Sequence, residues 1–445
     1  MTEAIPAAGA AAAPFLERVG LHRPELRAWV LYDCANSAFW ATVILIFPFF
    51  YADVACAGLP KAVASSRYAW STAFAMAVIA VLSPVLGAIA DHAGLKKKML
   101  GGFMALGVAA TAAMYFIDAG EWRFASLVFI VANIGVAGSI VFYEALLPHV
   151  ARQDELDRVS SAGYSVGYLG SALLMAVNLL WIQKPQWFGI ADSAAGTRLS
   201  FVSVAVWWAL FSIPILRKVK EPRRHEDARG VPQSPIAAGF TRLGGTFREL
   251  RLYRQAFLLL IAFLIYNDGI GTIIRMASPY AAEIGIPQGT AAASLLIVQI
   301  VGVPFAVLFG LLAGKIGAQR GIYLALAVFI SIAIYGYFMR TPLQFFTLCV
   351  LVGMVMGGAQ ALSRSLFASM VPRHKSAEFF AFYGVLDKFA GVIGPAMFAA
   401  VIEATGSSRN AILGVIAFFV TGGILLSRVD VVAGQRAARE AEASE

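Results

Sequence analysis

Apolar runs of about twenty residues recur from one end of this chain to the other, and nothing else in it constrains the fold as strongly. Each run is long enough to cross roughly 30 Å of hydrocarbon as a helix, and a helix satisfies its own backbone polar groups where no water reaches them. The runs fall near 28–52, 68–90, 99–118, 123–148, 159–182 and 199–216, then near 255–283, 289–314, 320–339, 343–371, 378–403 and 409–428. Only 14% of the 445 residues are charged, against about 25% in soluble domains. The expected architecture is an all-α membrane protein with twelve transmembrane helices in two six-helix halves.

The polar stretches complete the plan. Residues 1–27 form a tail without the basic start and apolar core of a signal peptide. Residues 28–216 form the first bundle, 217–254 a linker with a short amphipathic helix near 236–250, and 255–428 the second bundle. Residues 429–445, ending GQRAAREAEASE, read as a solvated tail. With both termini on the cytosolic side, 25 of the 35 Lys and Arg residues lie in tails and inner loops and seven in outer loops, while Arg275, Arg364 and Lys388 lie within spans. Basic residues gather on the cytosolic side of membrane proteins. The expected place is therefore a bacterial inner membrane with cytosolic termini.

The same placement explains the net charge of +9 without nucleic acid, since the cations sit between spans and not on one soluble face. Cys34, Cys56 and Cys349 form no disulfide or metal-binding pattern. All five histidines fall in tails or inner loops, so neither a metal site nor a cofactor is expected. Gly163-Tyr-Ser165-Val-Gly167 matches the GxSxG hydrolase elbow, but that motif needs a strand–turn–helix. Inside the fifth span its glycines read as a packing face, and an enzyme is not expected.

The two halves repeat each other. GAIADHAGLKK, residues 87–97, aligns without gaps with GLLAGKIGAQR, residues 310–320, and Pro148 and Gly170 match Pro372 and Gly394 at an offset of 224. Tyr32-Asp33 of the first span echoes Tyr266-Asn267 of the seventh. Parallel repeats of this kind place a substrate site between two rocking bundles. In the first copy, Gly87 admits a neighbouring helix, Asp91 can hold a helix N-terminus or a cation, and Gly94 allows the tight turn.

This segment resembles the GxxxDxxGRKK loop of the major facilitator superfamily. Leu95 replaces its usual Arg, and the second copy has Gly314 where Asp91 stands. Tyr32-Asp33-Cys34-Ala35-Asn36-Ser37 is similar to the YDxANS start of one branch, the family related to the autophagy-linked vacuolar effluxer of fungi. Gln360-Ala361-Leu362-Ser363-Arg364-Ser365 and Glu378-Phe379-Phe380-Ala381-Phe382-Tyr383 resemble two further stretches of that branch. The resemblance implies the major facilitator fold, a monomer, and a cavity lined by the first, fourth, seventh and tenth spans. For the fungal relatives it implies amino-acid efflux.

Charged and amide side chains within spans normally face a cavity or a partner, because burying a charge at mid-membrane costs roughly 2.5–3.5 kcal/mol on insertion scales. Asp33, Asn36, Ser37 and Trp40 share one helix face. Asp268 and Arg275 share another, beside Tyr266 and Asn267, and Gln360 and Arg364 stand one turn apart. Asp387 and Lys388 point about 100° apart, so one of the two faces the cavity. These residues are the candidate substrate contacts: Asp33, Asn36, Trp40, Tyr266, Asn267, Asp268, Arg275, Gln360, Arg364 and Lys388. Asp268 and Asp33 are the candidate proton carriers, although Asp33 could instead brace the inner gate. Gly87, Asp91, Gly94 and Glu144 are the candidate gate.

Both signs of charge suit a small zwitterionic or anionic solute, amino-acid-like and moved by proton-coupled alternating access. Trp40, Tyr266, Met276, Phe367 and Met370 keep a second substrate class open, since apolar walls would suit an exporter of amphiphilic drugs or lysolipids. The chain has no GxxxxGK[ST] loop for ATP.

Overall fold

The computed structural model describes residue 16 and residues 21–92, 95–152, 156–221, 244–372, 379, 382–384, 386 and 391–443. Among these there is no strand. Helix α1 spans Pro24–Ala55, α3 Lys96–Phe116, α6 Ser193–Lys218, α7 Arg254–Glu283, α9 Ala318–Phe338, α10 Pro342–Ala368 and α12 Ser408–Ser427. Helix α2 spans Lys61–His92, α4 Trp122–Val150, α5 Leu156–Gln183, α8 Gln288–Ile316 and α11 Ile393–Thr405. Each lies within one of the apolar runs read from the sequence or extends past it. The eleventh span is described chiefly from Ile393 onward. Helices α1, α3, α4, α6, α7, α9, α10 and α12 are each long and apolar enough to cross a membrane, α4 over Trp122–Leu147.

Local chemistry fixes several of the ends. Pro24 and Pro342 open α1 and α10 where the missing N–H costs nothing. Thr341 and Gln344 form a reciprocal capping box at α10, and Asp192 caps α6 by accepting from the Ala195 N–H. Gly406, at φ 71°, ends α11 in the left-handed conformation.

The pairing of helices repeats as the sequence does. In the first half α1 packs on α5 and α6, and α4 on α2 and α3; in the second α7 packs on α12 and α11, and α10 on α8 and α9. Individual side chains follow the repeat. Tyr32 and Tyr266 are both fully buried; Tyr32 lies beside Ser139, and the Tyr266 hydroxyl meets Ser363 at 2.5 Å. A methyl group added at Gly170 would lie 2.2 Å from Cys34 Sγ, and one at Gly394 would lie 2.7 Å from Asp268 Oδ1. Ser139 and Ser363, like Gly170 and Gly394, are 224 positions apart, and Cys34 and Asp268 hold matching places.

Gly163, Gly167 and Gly170 turn one face of α5 to α1, where added methyls would meet Asp33 at 2.9 Å, Ser37 at 2.8 Å and Cys34. The GxSxG stretch is thus a close-packing face.

The halves meet through α2 with α11 and α7, α1 with α7 and α8, and α5 with α8. Among the described residues, side-chain contacts join them at the membrane face opposite the chain termini. There Glu403 of α11 accepts from Ser66 Oγ at 3.1 Å and from Trp70 Nε1 at 2.7 Å, both on α2. Gln183, ending α5, packs on Gly289 at the start of α8, and the α1 segments Ile44–Phe50 and Tyr51–Ala55 lie against α7.

Two elements depart from the sequence reading. Helix α1 carries π-helical turns at Phe39–Val43 and Tyr51–Ala55. The expected solvated tail contains a helix, α13, at Val431–Ala443. Asp430 Oδ1 accepts from the Ala433 N–H at its start. Gly434 packs against Met370 and Gln255, Ala438 is buried, and Gln435 donates to Ser369 Oγ at 3.2 Å. Small residues on one face of α13 let it lie against the ends of α7 and α10, which the polar composition conceals. Of the linker, residues 222–243 lie outside the described residues, and residues 244–250 are helical.

Candidate functional site

The candidate residues of α1 occupy successive turns. Asp33 lies about 14 Å and Trp40 about 24 Å along the helix from Pro24, at 1.5 Å per residue. Asp33 is half-buried, while Asn36 is buried and donates to its own helix at Tyr32 O, 2.9 Å away. Trp40 is 40% exposed and sits within the first π turn. A π turn adds a residue to the helical repeat and re-aims the side chains beyond it; such turns gather at functional sites. Here Thr42 Oγ1 accepts from Asn178 Nδ2 of α5 at 3.5 Å, and Asn178 Oδ1 accepts from Ser203 Oγ of α6 at 2.8 Å. That buried polar chain braces the turn. Asn178 thereby links α1, α5 and α6.

Helix α4 brings Glu144, an exposed side chain, near enough to Asp33 for their charges to interact. The first half thus presents two carboxylates. Trp29 lies behind them, stacked on Tyr143 at 4.3 Å between ring centres and donating to Tyr143 O at 3.1 Å. These contacts fix α1 against α4 at the level of the acids.

The second half presents amides and a cation. Gln360 and Arg364 of α10 are both exposed, one turn apart on one face, and Gln360 Nε2 donates to Asn267 Oδ1 of α7 at 3.4 Å.

Two candidates of α7 are turned elsewhere. Asp268 is 3% exposed and its Oδ2 accepts from the Gly394 N–H at 2.8 Å. An added methyl at Gly394 would lie 1.7 Å from Thr272 Oγ1, so only glycine permits this approach. Arg275 folds back over Gly271, and a methyl at Gly391 would lie 3.1 Å from its guanidinium. The face that Asp268 and Arg275 share is therefore the one turned to the start of α11. Tyr266 is a core residue on Ser363. Met276, Phe367 and Met370, expected as cavity walls, are also buried within the second half, which leaves Trp40 as the exposed member of that aromatic and methionine set. Gly87 and Asp91 are described only as helical, and Gly94, Asp387 and Lys388 lie outside the described residues. No group of three or more His, Cys, Asp or Glu residues suited to a metal ion occurs among the described residues.

Comparison with known proteins agrees with this architecture. The family described as "Vacuole effluxer Atg22 like" matches residues 52–439. The "Uncharacterized MFS-type transporter YxiO" of Bacillus subtilis (strain 168) is 36% identical over 406 residues, covering 90% of this chain and 94% of its own. "Autophagy-related protein 22" of Yarrowia lipolytica is 25% identical over 315 residues; the match covers 65% of this chain and about half, 53%, of that longer protein. Among solved structures, a point mutant of the nucleoside transporter NupG superposes with a TM-score of 0.67 at 14% identity, over 92% of this chain and all of that one. A D-xylose–proton symporter gives 0.66 at 12% identity over 93% of this chain and 97% of its own. These two likenesses are of fold alone. By its matched length and its relatives, this chain belongs to the Atg22-like family of transporters, built on the major facilitator fold.

Proposed function

We propose that this protein is a secondary transporter that moves a small zwitterionic or anionic solute of amino-acid type by alternating access coupled to protons. One observation carries the reading. The first half offers Asp33 and Glu144, and the second offers Arg364 beside Gln360 and Asn267. An amino acid would present its ammonium to the acids and its carboxylate to the guanidinium, so one solute would contact both halves. Such bridging stabilises whichever state brings the halves together around it. Asp33 in one half and Asp268 in the other are the groups that would carry the proton. Efflux is the direction that the family description suggests. The loop charges support cytosolic termini in a bacterial plasma membrane, and a monomer suffices, since each chain holds both halves.

A second reading, export of amphiphilic compounds, is favoured by one observation, the exposed Trp40 ring at the π turn. The burial of Tyr266, Met276, Phe367 and Met370 counts against it.

Thermal unfolding in detergent at two pH values, against a panel of amino acids and of amphiphiles, separates the two. A ligand at a hundred times its Kd adds about 2.7 kcal/mol. Amino acids should raise Tm to an extent that changes with pH, and Asp33→Asn and Arg364→Ala should abolish the shift. Stabilisation by amphiphiles alone, indifferent to both substitutions, would reject the proposal.

A further inference from the structure

Helix α11 is held at its two ends by different partners. Near its start the Gly394 N–H is bound by Asp268 of α7, with Thr272 packed against the glycine. Near its far end Glu403 takes hydrogen bonds from Ser66 and Trp70 of α2, in the other half of the molecule. Gly394 and Glu403 are nine residues apart, about 13.5 Å along the axis and, at 100° per residue, on opposite faces of the helix. One face at one end is pinned to α7, and the opposite face at the other end closes on α2. Side chains between them, Phe398, Ala399 and Ile402, are buried, so α11 transmits a tilt as a rigid element.

We infer that α11 is a lever joining Asp268 to the gate at the face opposite the termini, with Asp268 acting as a positioning residue for that gate. The repeat supplies an internal comparison. In the first half the matching contact is Gly170 against Cys34, a thiol in place of the carboxylate acceptor, and the position matching Glu403 is Leu179. The lever therefore belongs to the second half alone. Losing the Asp268 acceptor frees the start of α11, and the tilt this permits withdraws Glu403 from Ser66 and Trp70. The coupling is reciprocal, as any linkage between two contacts must be: opening the gate loosens the Gly394 N–H. The inference rests on the alternating-access reading but not on any substrate.

Its test is accordingly made without substrate, on the full chain in nanodiscs. Spin labels at Val63 and Arg340, both at the gate face, report the separation of the halves. The parent protein should show one short distance. Glu403→Ala and Asp268→Ala should each add a longer population, and Asp268→Asn, whose amide oxygen still accepts, should restore the short one. Hydrogen exchange in a peptide containing Gly394 should rise at least tenfold in Glu403→Ala, a surface substitution that leaves the core intact. This second measurement decides the matter if Asp268→Ala fails to fold. Unchanged exchange there, or an unchanged distance in a folded Asp268→Ala protein, overturns the lever. Failure of Asp268→Asn to restore the short distance overturns the role of the acceptor. A transport defect with intact gate distances would bear on the substrate site and not on α11.

Discussion

Single residues decide how closely the helices approach. At Gly170 an added methyl would lie 2.2 Å from Cys34 Sγ and 3.5 Å from Cys34 Cβ, so the sulfur is the obstacle. Gly170→Ala should therefore cost about 1–3 kcal/mol, as overpacking does. Gly170→Ala with Cys34→Ala should recover most of that, because the sulfur is gone. Thermal melts of the two singles and the double check it, and additive losses would contradict the packing. The acids at this level were only half legible in the sequence. Asp33 and Asp268 stand out in the sequence as carboxylates within apolar spans. Periodicity turned Asp268 and Arg275 to one face correctly, but it could not say that the face belongs to α11. The partner of Asp268 is a backbone N–H 126 positions away, and no local pattern records a tertiary acceptor.

At the scale of elements, span positions were readable because length and hydropathy in a bilayer leave few choices. The repeat was readable because both copies kept the small residues at their crossings. The π turn at Phe39–Val43 was not. It rests on Asn178 of α5, which donates to Thr42, and on Ser203 of α6, which donates in turn to Asn178. Asn178→Leu should remove that brace and shift Trp40, a proposed substrate contact. The expected outcome is a substrate Kd weakened about tenfold with modest change in Tm, read by titration in detergent; unchanged affinity would show that the turn holds itself. Helix α13 was missed for a different reason, since its buried face is made of small residues such as Gly434 and Ala438 within a stretch that is polar on average. Truncation after Asp430 removes little buried area and should cost about 1 kcal/mol, a fall of about 2–4 °C in Tm. A fall of ten degrees or more would mean that α13 supports the second half more extensively.

For the whole molecule, two observed features stand together, a pseudo-twofold pair of bundles and contacts between the halves at the face opposite the termini, and the proposed site adds acids in one half and a cation in the other. The proposed alternating access would use the repeat, since matching crossings could close at either face. Departures from the repeat, Asp268 for Cys34 and Arg364 for Ile140, make the two halves chemically unlike. As proposed above, the acids of one half and the cation of the other together hold an amino-acid-like solute that moves with protons. Uptake of a labelled amino-acid mixture into proteoliposomes under an imposed pH gradient tests it most directly. Gradient-driven accumulation is expected that a protonophore abolishes, that amphiphiles do not compete away, and that falls at least tenfold in Asp33→Asn and in Arg364→Ala. Uptake indifferent to the gradient and to both substitutions would contradict it.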